Sequence, residues 1–413
     1  MSADYWLQLL RRSFDAAVSS ANPAIIIPSH LPPPPTGKLI IVGAGKAAAG
    51  MAQAVEAHYS PSVSLSGAII IPHGTPAPQF ARIDILRGAH PLPDNASAQS
   101  TQRLIHEITQ ASADDFVLAL VSGGGSSLLG APLDGLSLKD SRHVIYQLLQ
   151  AGADVRDINI VRRHLSVALG GRLAAMCRAP ILALIISDVV GDAPADIASG
   201  PFSGDISTCA DALAVLSAHN VDCPPTLVTM FADGTAETPT GHFIYVENRI
   251  IAGAEQALAA GAETLRRGGV QTVINWGEHA GDAHELAMTH KQKLLAVQSE
   301  PHPIALISGG EATVNVIGGG RGGRNTEFAL SLWRENVATH VLSCDTDGID
   351  GQQTAAGAMF GPQEQRRAVE MKLLAEGYLA DNNSGDFFAR LDTLINTGPT
   401  GVNVNDYRVC LLI

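Results

Sequence analysis

The sequence predicts an α/β protein of two domains, on three observations. Short apolar runs typical of buried strands are followed by glycines and then by a helical pattern, as at Lys38–Val42, where the glycines of Gly43–Lys46 lead into an alanine-rich helix. The chain has 413 residues, more than one ordinary domain. A polar stretch rich in glycine and proline at about Phe231–Gly241 is typical of a linker. We therefore expect domains over residues 1–235 and 236–413.

The remaining elements follow from periodicity along the chain. Apolar residues at three- and four-residue steps from Leu7 to Val18 predict an amphipathic helix that packs on something larger, and a second helix is expected at Ala252–Arg267. Further strands are predicted at Gly67–Ile71, Phe116–Val121, Pro180–Ile186, Gln271–Asn275, Pro303–Ile307, Thr313–Ile317, His340–Ser343 and Arg408–Leu412.

Composition narrows the class of protein. A hydrophobic content of 46% with 16% charged residues indicates a compact globular chain. The 27 basic and 40 acidic residues give a net charge of −13, which repels nucleic acid, so no nucleic-acid partner is expected. No long uncharged apolar run and no basic segment ahead of an apolar one occur, so we expect no membrane association and a cytoplasmic protein. The five cysteines are scattered without a CxxC pair, which indicates neither a zinc site nor a disulfide framework.

A loop with five glycines and two arginines begins at Gly318 and precedes a helical run. Glycine lets a backbone approach a ligand closely, and Arg321 and Arg324 carry planar charged groups suited to phosphate or carboxylate oxygens. Asn325 can cap the helix that follows. The loop is therefore either a polyanion cradle or a glycine-rich surface hairpin with solvated arginines.

Two glycine-containing loops follow strands in the first half of the chain. Gly43 and Gly45 fit the GxGxxA variant of the dinucleotide fingerprint, but the next strand ends without the acidic residue that would hold a ribose. Lys46 can meet an anion at the start of the following helix or remain solvated. The second loop offers hydroxyls and amides that suit phosphate oxygens. Its residues are Ser122, Gly123, Gly124, Gly125 and Ser126.

Carboxylates follow three other predicted strands. Asp188 comes after Pro180–Ile186 and could hold a metal ion or a substrate hydroxyl, since open α/β sheets bind ligands at the carboxyl ends of their strands. Asp345 and Asp347 lie in an Asp-rich loop that suits Mg²⁺, although Asp and Gly also build plain turns. Glu311 follows another strand and a pair of glycines.

Taken together, these loops resemble the class II glycerate kinases of bacteria and archaea, whose C-terminal part is known as the MOFRL domain. The resemblance covers nearly the whole chain and rests on blocks in the same order. They are Val42–Lys46, His90–Asp94, Ser122–Ser126, Ile186–Asp192, Ser199–Pro201, Gly320–Asn325 with Glu327–Leu330, Asp345–Gly351, and Gly398–Gly401 with Asn403–Asp406.

The resemblance implies a larger N-terminal Rossmann-like domain with a parallel sheet and a smaller C-terminal MOFRL-type domain of mixed α/β structure. It implies ATP-dependent phosphorylation of D-glycerate, with 2-phosphoglycerate the usual product, in a cleft between the two domains. Lys46 and Arg324 match family positions associated with catalysis, and Arg321 and Asp188 are carried over beside them. Asp345, Asp347 and Asp188 are the expected Mg²⁺ ligands. The expected nucleotide-, phosphate- or substrate-binding residues are Gly43, Gly45, Ser122, Gly123, Gly124, Gly125, Ser126, Glu311 and Asn325.

Two alternatives stay open. One is an NAD(P)H-dependent hydroxypyruvate reductase, a name attached to some relatives of this family. The other is a non-catalytic binder of small phosphorylated acids. The expected partners are the small molecules D-glycerate and ATP, and the chain is expected to be a monomer or a homodimer.

Overall fold

The computed structural model describes residues 3–413 of the chain. Its internal contacts divide these residues into two compact units, which we call the N-terminal unit and the C-terminal unit. The N-terminal unit comprises Ile26–Ser187 and Gly191–Ile251, and the C-terminal unit comprises the residues through Ile25, Asp188–Val190 and Ala252–Ile413. None of the described helices is long and apolar enough to cross a bilayer.

The N-terminal unit is built on a six-stranded sheet. Its strands are β1 (Leu39–Ala44), β2 (Leu65–Pro72), β3 (Ile83–Gly88), β4 (Phe116–Ser122), β5 (Ile181–Ile186) and β6 (Val246–Ala252). Their order is β3-β2-β1-β4-β5-β6, and the pairings from β3 to β5 are parallel. This is the Rossmann strand order, so the expected fold class is confirmed. Because the order reverses between β1 and β4, the loops after these two strands flank the crevice where such sheets bind ligands.

Helices connect and cover the strands. They are α1 (Ala3–Ser20), α2 (Pro23–Ile26), α3 (Ala48–His58), α4 (Asn95–Gln110), α5 (Gly125–Leu128), α6 (Leu138–Gln150), α7 (Val155–Leu165), α8 (Arg172–Met176), α9 (Cys209–Ala218), α10 (Pro225–Ala232), α11 (Ala254–Arg267), α12 (Ala283–Val297), α13 (Arg324–Glu335), α14 (Pro362–Glu370), α15 (Ala375–Ala380) and α16 (Ser384–Arg390). Short 3₁₀ turns occur at Ile27–His30 and Ile197–Ser199. Helices α6, α7, α9 and α10 of the N-terminal unit share a buried apolar core of their own.

The C-terminal unit contains a mixed sheet. Its strands, with two short ones outside the main sheet, are β7 (Thr272–Glu278), β8 (Gly281–Asp282), β9 (Ile304–Gly309), β10 (Ala312–Thr313), β11 (His340–Asp345), β12 (Gly357–Phe360), β13 (Leu394–Ile395) and β14 (Asp406–Leu412). The order is β13-β12-β11-β14-β9-β7, with β14 antiparallel to β11 and β9, and β7 parallel to β9. The strand predicted at Thr313–Ile317 is wrong, since β10 ends at Thr313 and pairs with β8 alone.

The contacts divide the chain differently from the expected domains at three places, the shortest of which is Asp188–Val190, grouped with the C-terminal unit. Helix α1 packs on α11, where the buried Leu9 lies against Gly268 and the Tyr5 hydroxyl donates to the Gly268 carbonyl over 2.9 Å. The first helix therefore belongs to the C-terminal unit. Strand β6 lies in the sheet of the N-terminal unit, which extends that unit to Ile251 instead of residue 235. Helix periodicity predicts a buried face but does not identify its partner.

Candidate active site

The turn after β1 places Lys46 at the carboxyl end of the sheet, but its backbone is already bonded. Three consecutive N–H groups of this turn find acceptors within the protein. Gly45 donates to the Ile70 carbonyl (3.2 Å), Lys46 to the Gly123 carbonyl (2.9 Å), and Ala47 to the Ser122 hydroxyl (3.0 Å). A phosphate group would need these same donors. The turn therefore supports the next loop, and Lys46 contributes its side chain alone.

The glycines of this turn serve the packing of β1 against β4. Gly43 lies inside β1, and a Cβ on it would come within 2.6 Å of the Leu120 carbonyl oxygen. Gly45 has φ +139°, and a Cβ there would overlap Ser122. Both positions thus require glycine for strand packing, which the sequence pattern could not distinguish from a role in binding phosphate.

Lys46, His90 and Arg162 come together around the turn after β4. A Cβ on Gly124 would lie 3.5 Å from the His90 ring and 3.6 Å from Lys46 Cγ. Arg162 donates to the Pro91 carbonyl over 3.4 Å. Burial lowers the pKa of His90 to about 4, with the positive charges of Lys46 and Arg162 adding to the shift. Burial also lowers the pKa of Arg162 to about 10, which still leaves it charged at neutral pH.

Hydroxyl groups line the same turn. His90 Nδ1 lies 2.9 Å from the Ser127 hydroxyl, and Ser126 Oγ lies 2.8 Å from Ser199 Oγ. Ser199 in turn donates to the side-chain oxygen of Asn159 over 2.8 Å. These bonds fix the serine side chains on both sides of the turn and give them a defined orientation.

The turn after β4 also offers backbone donors. Gly124 has φ +80° and precedes α5, and no side chain caps this helix. Within residues 3–413, the N–H groups of Gly124, Gly125 and Ser126 have no hydrogen-bond acceptor. Together with Lys46, His90 and Arg162, the segment Gly124–Ser126 forms what we call the Lys46 cluster. Positive charge and unbonded amides in one place suit an anionic ligand.

Asp188 follows β5 and is half-buried. It comes directly after Ser187, at the carboxyl end of the strand, where the sequence placed it.

The glycine-rich loop of the C-terminal unit is bonded to a neighbouring loop and does not form a free cradle. The donors are backbone N–H groups. That of Gly319 donates to the Asp381 side chain (3.0 Å), that of Arg321 to the Asn383 side chain (2.9 Å), and that of Gly318 to Asn382 Oδ1 (2.9 Å). A Cβ on Gly318 would overlap the Asp381 backbone. The glycines thus allow two loops to lie close together, and their amides are already bonded.

Arg321 and Arg324 have different environments. The Arg321 side chain is 74% exposed and pairs with Asp386 over 3.1 Å. Arg324 is the first residue of α13 and is largely buried. Each of its three nitrogens meets a carboxylate. Nε donates to Asp406 (2.8 Å), Nη1 to Glu311 (3.0 Å) and Nη2 to Asp345 (2.7 Å).

Asp406 is the centre of this group. Its side chain is fully buried and accepts hydrogen bonds from Arg324, from the Asn325 amide (2.8 Å) and from the Ala312 backbone (2.8 Å), and it forms an ion pair with Arg408. Arg408 also has no exposed side-chain surface, and it donates to the Gly309 carbonyl over 2.8 Å. We call Glu311, Arg324, Asp345, Asp406 and Arg408 the Arg324 cluster.

The charges in and beside the Arg324 cluster are unequal. Two guanidinium groups face the carboxylates of Glu311, Asp345 and Asp406, and Asp347 lies next to them. Burial disfavours a charged Arg324, but the three carboxylates outweigh this and raise its pKa. Burial raises the pKa of Asp345 well above its usual range against the opposing effect of Arg324, and the charges of Asp347 and Asp406 add to the rise. A divalent cation would relieve this excess of negative charge.

Asp345 and Asp347 are the residues beside the Arg324 cluster that could hold a divalent cation. Asp345 Oδ1 accepts from the Asp347 backbone over 3.0 Å, and Asp347 Oδ1 accepts from the Ile349 backbone over 2.9 Å, so both side chains are oriented. Asp345 and Asp347 do not form a cluster with a third His, Cys, Asp or Glu among residues 3–413, if all ligand atoms must lie within 4.8 Å of one another. Mg²⁺ keeps several waters and binds through few carboxylates, so a Mg²⁺ site does not require three protein ligands.

The expectation that Asn325 caps α13 is wrong. Gly323 occupies the N-cap position, and Asp350 accepts from the backbones of Asn325 (2.9 Å) and Thr326 (2.9 Å). A Cβ on Gly323 would overlap the Asp350 carboxylate, so glycine makes room for a cap that comes from another loop. The Asn325 side chain instead lies between Asp406 and the Ser343 hydroxyl, which donates to it over 2.7 Å.

Several residues of these clusters carry no role predicted from the sequence. They are Arg162, Asp406 and Arg408. One signal existed for Arg162, because Asn159 and Arg162 are three apart on α7 and so lie on one helix face. Asp406 and Arg408 are two apart on β14 and share a face of the sheet, but a buried ion pair cannot be identified from that spacing alone.

Comparisons with known proteins match two family descriptions, one in each half of the chain. Residues 9–232 match the family described as "Domain of unknown function (DUF4147)", and residues 304–406 match the MOFRL family. The chain is 40% identical to a protein of Agrobacterium vitis that carries a provisional hydroxypyruvate reductase name, over 98% of this chain and 94% of that one.

Two further comparisons involve Thermotoga maritima. The chain is 33% identical to its D-glycerate 2-kinase, over 98% of this chain and 97% of the relative. A crystal structure of glycerate kinase from the same organism matches with a TM-score of 0.88 and 31% identity, over 100% of this chain and 99% of that one. The chain therefore belongs to the glycerate kinase family that combines a DUF4147 region with a MOFRL region.

Proposed function

We propose that this chain is a glycerate kinase that transfers the γ-phosphoryl group of ATP to D-glycerate and releases 2-phosphoglycerate. The observation that carries the proposal is the Lys46 cluster, where positive charge and unbonded amides meet at the carboxyl ends of β1 and β4. Glycerate carries a carboxylate and ATP carries phosphates, and both need such donors. Family membership supports the activity, and the choice of carbon 2 rests on the name of the Thermotoga maritima relative.

In the N-terminal unit, Lys46 and Arg162 supply the positive charge for an anionic group. His90 stays neutral at pH 7, because its pKa is about 4, so it contributes a hydrogen bond instead of a charge. The N–H groups of Gly124, Gly125 and Ser126 add hydrogen-bond donors at the same turn. The protein already orients the His90 ring through Ser127, which lowers the cost of ordering that donor.

In the C-terminal unit, Arg324 is the proposed stabiliser of charge on the transferred phosphoryl group. Its three carboxylate partners hold the guanidinium in one orientation. Arg321 is a second candidate, with a more exposed and less restrained side chain. Asp345 and Asp347 are the proposed Mg²⁺ ligands, with Asp188 as an alternative. When bound, Mg²⁺ would neutralise phosphate oxygens.

The proposed reaction is an in-line displacement. The substrate hydroxyl oxygen forms a bond to the γ-phosphorus, the bond from that phosphorus to the ADP oxygen breaks, and the hydroxyl proton leaves. Asp188 is the proposed group that orients the hydroxyl and accepts its proton. Phosphoryl transfer needs little covalent help from a protein, so positioning and charge neutralisation are the main contributions of these residues.

A hydroxypyruvate reductase is the second candidate, because the Agrobacterium vitis relative at 40% identity carries that name. Two observations count against it. The N–H groups after β1, which would bind a dinucleotide pyrophosphate, are bonded to protein acceptors. Strand β2 ends at Pro72, and the next residue, His73, pairs with Asp94 over 2.8 Å instead of providing an acid for a ribose.

One coupled assay tests the proposal. The protein is mixed with ATP, Mg²⁺ and D-glycerate, ADP release is followed, and enolase is added with or without a phosphoglycerate mutase. We expect ADP release and direct use of the product by enolase. Ligand-dependent stabilisation without ADP release would indicate a binder, and oxidation of NADH or NADPH on addition of hydroxypyruvate would indicate the reductase.

A further inference from the structure

We propose that His164, Cys209 and Glu237 of the N-terminal unit form a binding site for one divalent transition-metal ion of the Zn²⁺ class. Each of the three side chains offers one ligand atom, and these atoms lie within 4.8 Å of one another. His164 Nε2 and Glu237 Oε2 are 3.7 Å apart. Ligands about 2.0–2.3 Å from a tetrahedral zinc ion are separated by roughly 3.3–3.8 Å, so a small inward movement completes the geometry.

The strongest observation is the ring of His164. Nδ1 lies 2.9 Å from the Ile160 carbonyl oxygen, which can only accept a hydrogen bond, so Nδ1 carries the hydrogen. Nε2 therefore presents its lone pair. The residue has no exposed surface, and this nitrogen has no hydrogen-bond partner. A buried imidazole nitrogen with an unused lone pair is the state in which histidine binds metals.

The other two ligands are held beside it. Cys209 is the first residue of α9 and is only 2% exposed. Its backbone N–H donates to Glu237 Oε1 over 3.0 Å, which fixes the carboxylate near both the thiol and the imidazole. The Glu237 side chain is 45% exposed, so an ion can reach the site from solvent along it.

The chemistry favours a metal ligand over a nucleophile for Cys209. The His164 Nδ1 hydrogen is bonded to the backbone and not to Glu237, so the three do not form a nucleophile–base–carboxylate relay. On metal binding, the S–H bond breaks, the proton passes to the buffer, and a sulfur–metal bond forms.

Nitrogen, sulfur and oxygen ligands of this kind are a set that Zn²⁺ accepts, with water in the fourth position. A thiolate and a carboxylate together balance the charge of a divalent ion. The other charged groups that act on Cys209 are Arg172 and Asp233, which have opposite signs. The ion would join the end of α7, the start of α9 and the segment after α10, so binding should stabilise this part of the N-terminal unit.

The test uses the full chain, stripped of metal with a chelator and titrated with Co²⁺ as a spectroscopic probe. We expect about one equivalent of Co²⁺ to bind with thiolate-to-cobalt charge-transfer absorption, and Zn²⁺ to displace it. Cys209→Ser should lose that absorption, and Cys223→Ser, which changes a half-buried cysteine of the same unit, should keep it. Absence of the absorption in the wild type, or its persistence in Cys209→Ser, would overturn the site.

A second variant, at an exposed position, distinguishes loss of the metal site from a folding defect caused by Cys209→Ser. Glu237→Gln changes an exposed side chain and should weaken Co²⁺ binding by about tenfold or more. Zn²⁺ should raise the melting temperature of the wild type and of Cys223→Ser, but should have much less effect on Glu237→Gln. Equal affinity of the wild type and Glu237→Gln for Co²⁺ would contradict the proposal. ADP release is not part of this test, so its outcome is independent of the kinase activity.

Discussion

Arg324 Nε donates to Asp406 Oδ1 over 2.8 Å, between residues 82 positions apart, and the Asp406 side chain has no exposed surface. The second oxygen of the same carboxylate pairs with Arg408, which is also fully buried. One aspartate thus pairs with two arginines and joins the first turn of α13 to the first residue of β14. The orientation of Arg324, and with it the proposed stabilisation of a phosphoryl group, depends on this carboxylate.

Asp406→Asn should destabilise the C-terminal unit strongly. Removing one partner of a buried ion pair leaves an uncompensated charge and typically costs about 3–5 kcal/mol. The measurement is urea unfolding followed by tryptophan fluorescence, because all three tryptophans, Trp6, Trp276 and Trp333, belong to that unit. The matched control is Asp386→Asn, which removes the partner of the exposed Arg321 and should cost less than about 1 kcal/mol. Similar small losses in both variants would show that the buried pair does not support the fold.

Asp350 should make stability depend on pH between about 4 and 6. Burial raises its pKa to about 6, despite the hydrogen bonds from Asn325 and Thr326. Between these pH values the folded state keeps a proton that the unfolded state has lost. The contribution of this proton to the free energy of unfolding is fully present below pH 4 and is lost as the pH rises to 6. The shift corresponds to about 3 kcal/mol.

Asp350→Asn removes this titration, and so the free energy of unfolding of the wild type should fall relative to that of the variant over this pH range. The slopes of the free energy of unfolding against pH are compared, and not its absolute values, because the substitution also alters the cap of α13. Asp386→Asn should keep the wild-type slope. Parallel pH profiles for the wild type and Asp350→Asn would contradict the prediction.

Lys46→Ala should lower kcat/KM by about 10²–10³, which is the usual effect of removing one charged or hydrogen-bonding group from a site that stabilises an anion. Lys38→Ala is the matched control, since Lys38 is exposed and precedes β1, whereas Lys46 follows the same strand. Its kinetics should remain those of the wild type. If Lys46→Ala and Lys38→Ala have equal activity, Lys46 has no part in the reaction.

Arg324→Lys should lower kcat far more than it changes the KM for ATP. Lysine keeps the positive charge but cannot meet three carboxylates with a planar group, so the orientation toward the phosphoryl group is lost. Arg334→Ala, in the last turn of the same helix, should leave kcat unchanged. Turnover of Arg324→Lys within about tenfold of the wild type, or under ~1.4 kcal/mol of barrier, would exclude the proposed role.

The parts of the fold that depend on local pattern were predictable from the sequence. The strand, turn and helix around Lys46 and the strand before Ser122 occur where periodicity placed them, with β1 at Leu39–Ala44 and β4 at Phe116–Ser122. Glycine patterns were more ambiguous. Glycines are required both where a backbone approaches a ligand and where two loops or strands approach each other. Gly45 and Gly318 are of the second kind, which the structure shows through the atoms beside them.

The clusters could not be predicted, because their members are distant in the sequence. Arg324 meets carboxylates 13, 21 and 82 residues away. His164, Cys209 and Glu237 have no spacing that indicates a metal site, and only the packing of α7, α9 and the segment after α10 brings them together. Composition and periodicity constrain which residues are buried, but they do not determine which buried side chains meet.

The most direct test of the proposed activity is the phosphorus NMR spectrum of the product formed from ATP, Mg²⁺ and D-glycerate. Phosphate on carbon 2 is coupled to a single proton, whereas phosphate on carbon 3 is coupled to two. We predict a new phosphomonoester signal split into a doublet, together with the signals of ADP. A triplet would contradict phosphorylation at carbon 2, and an unchanged ATP spectrum would contradict the assignment of this chain as a glycerate kinase.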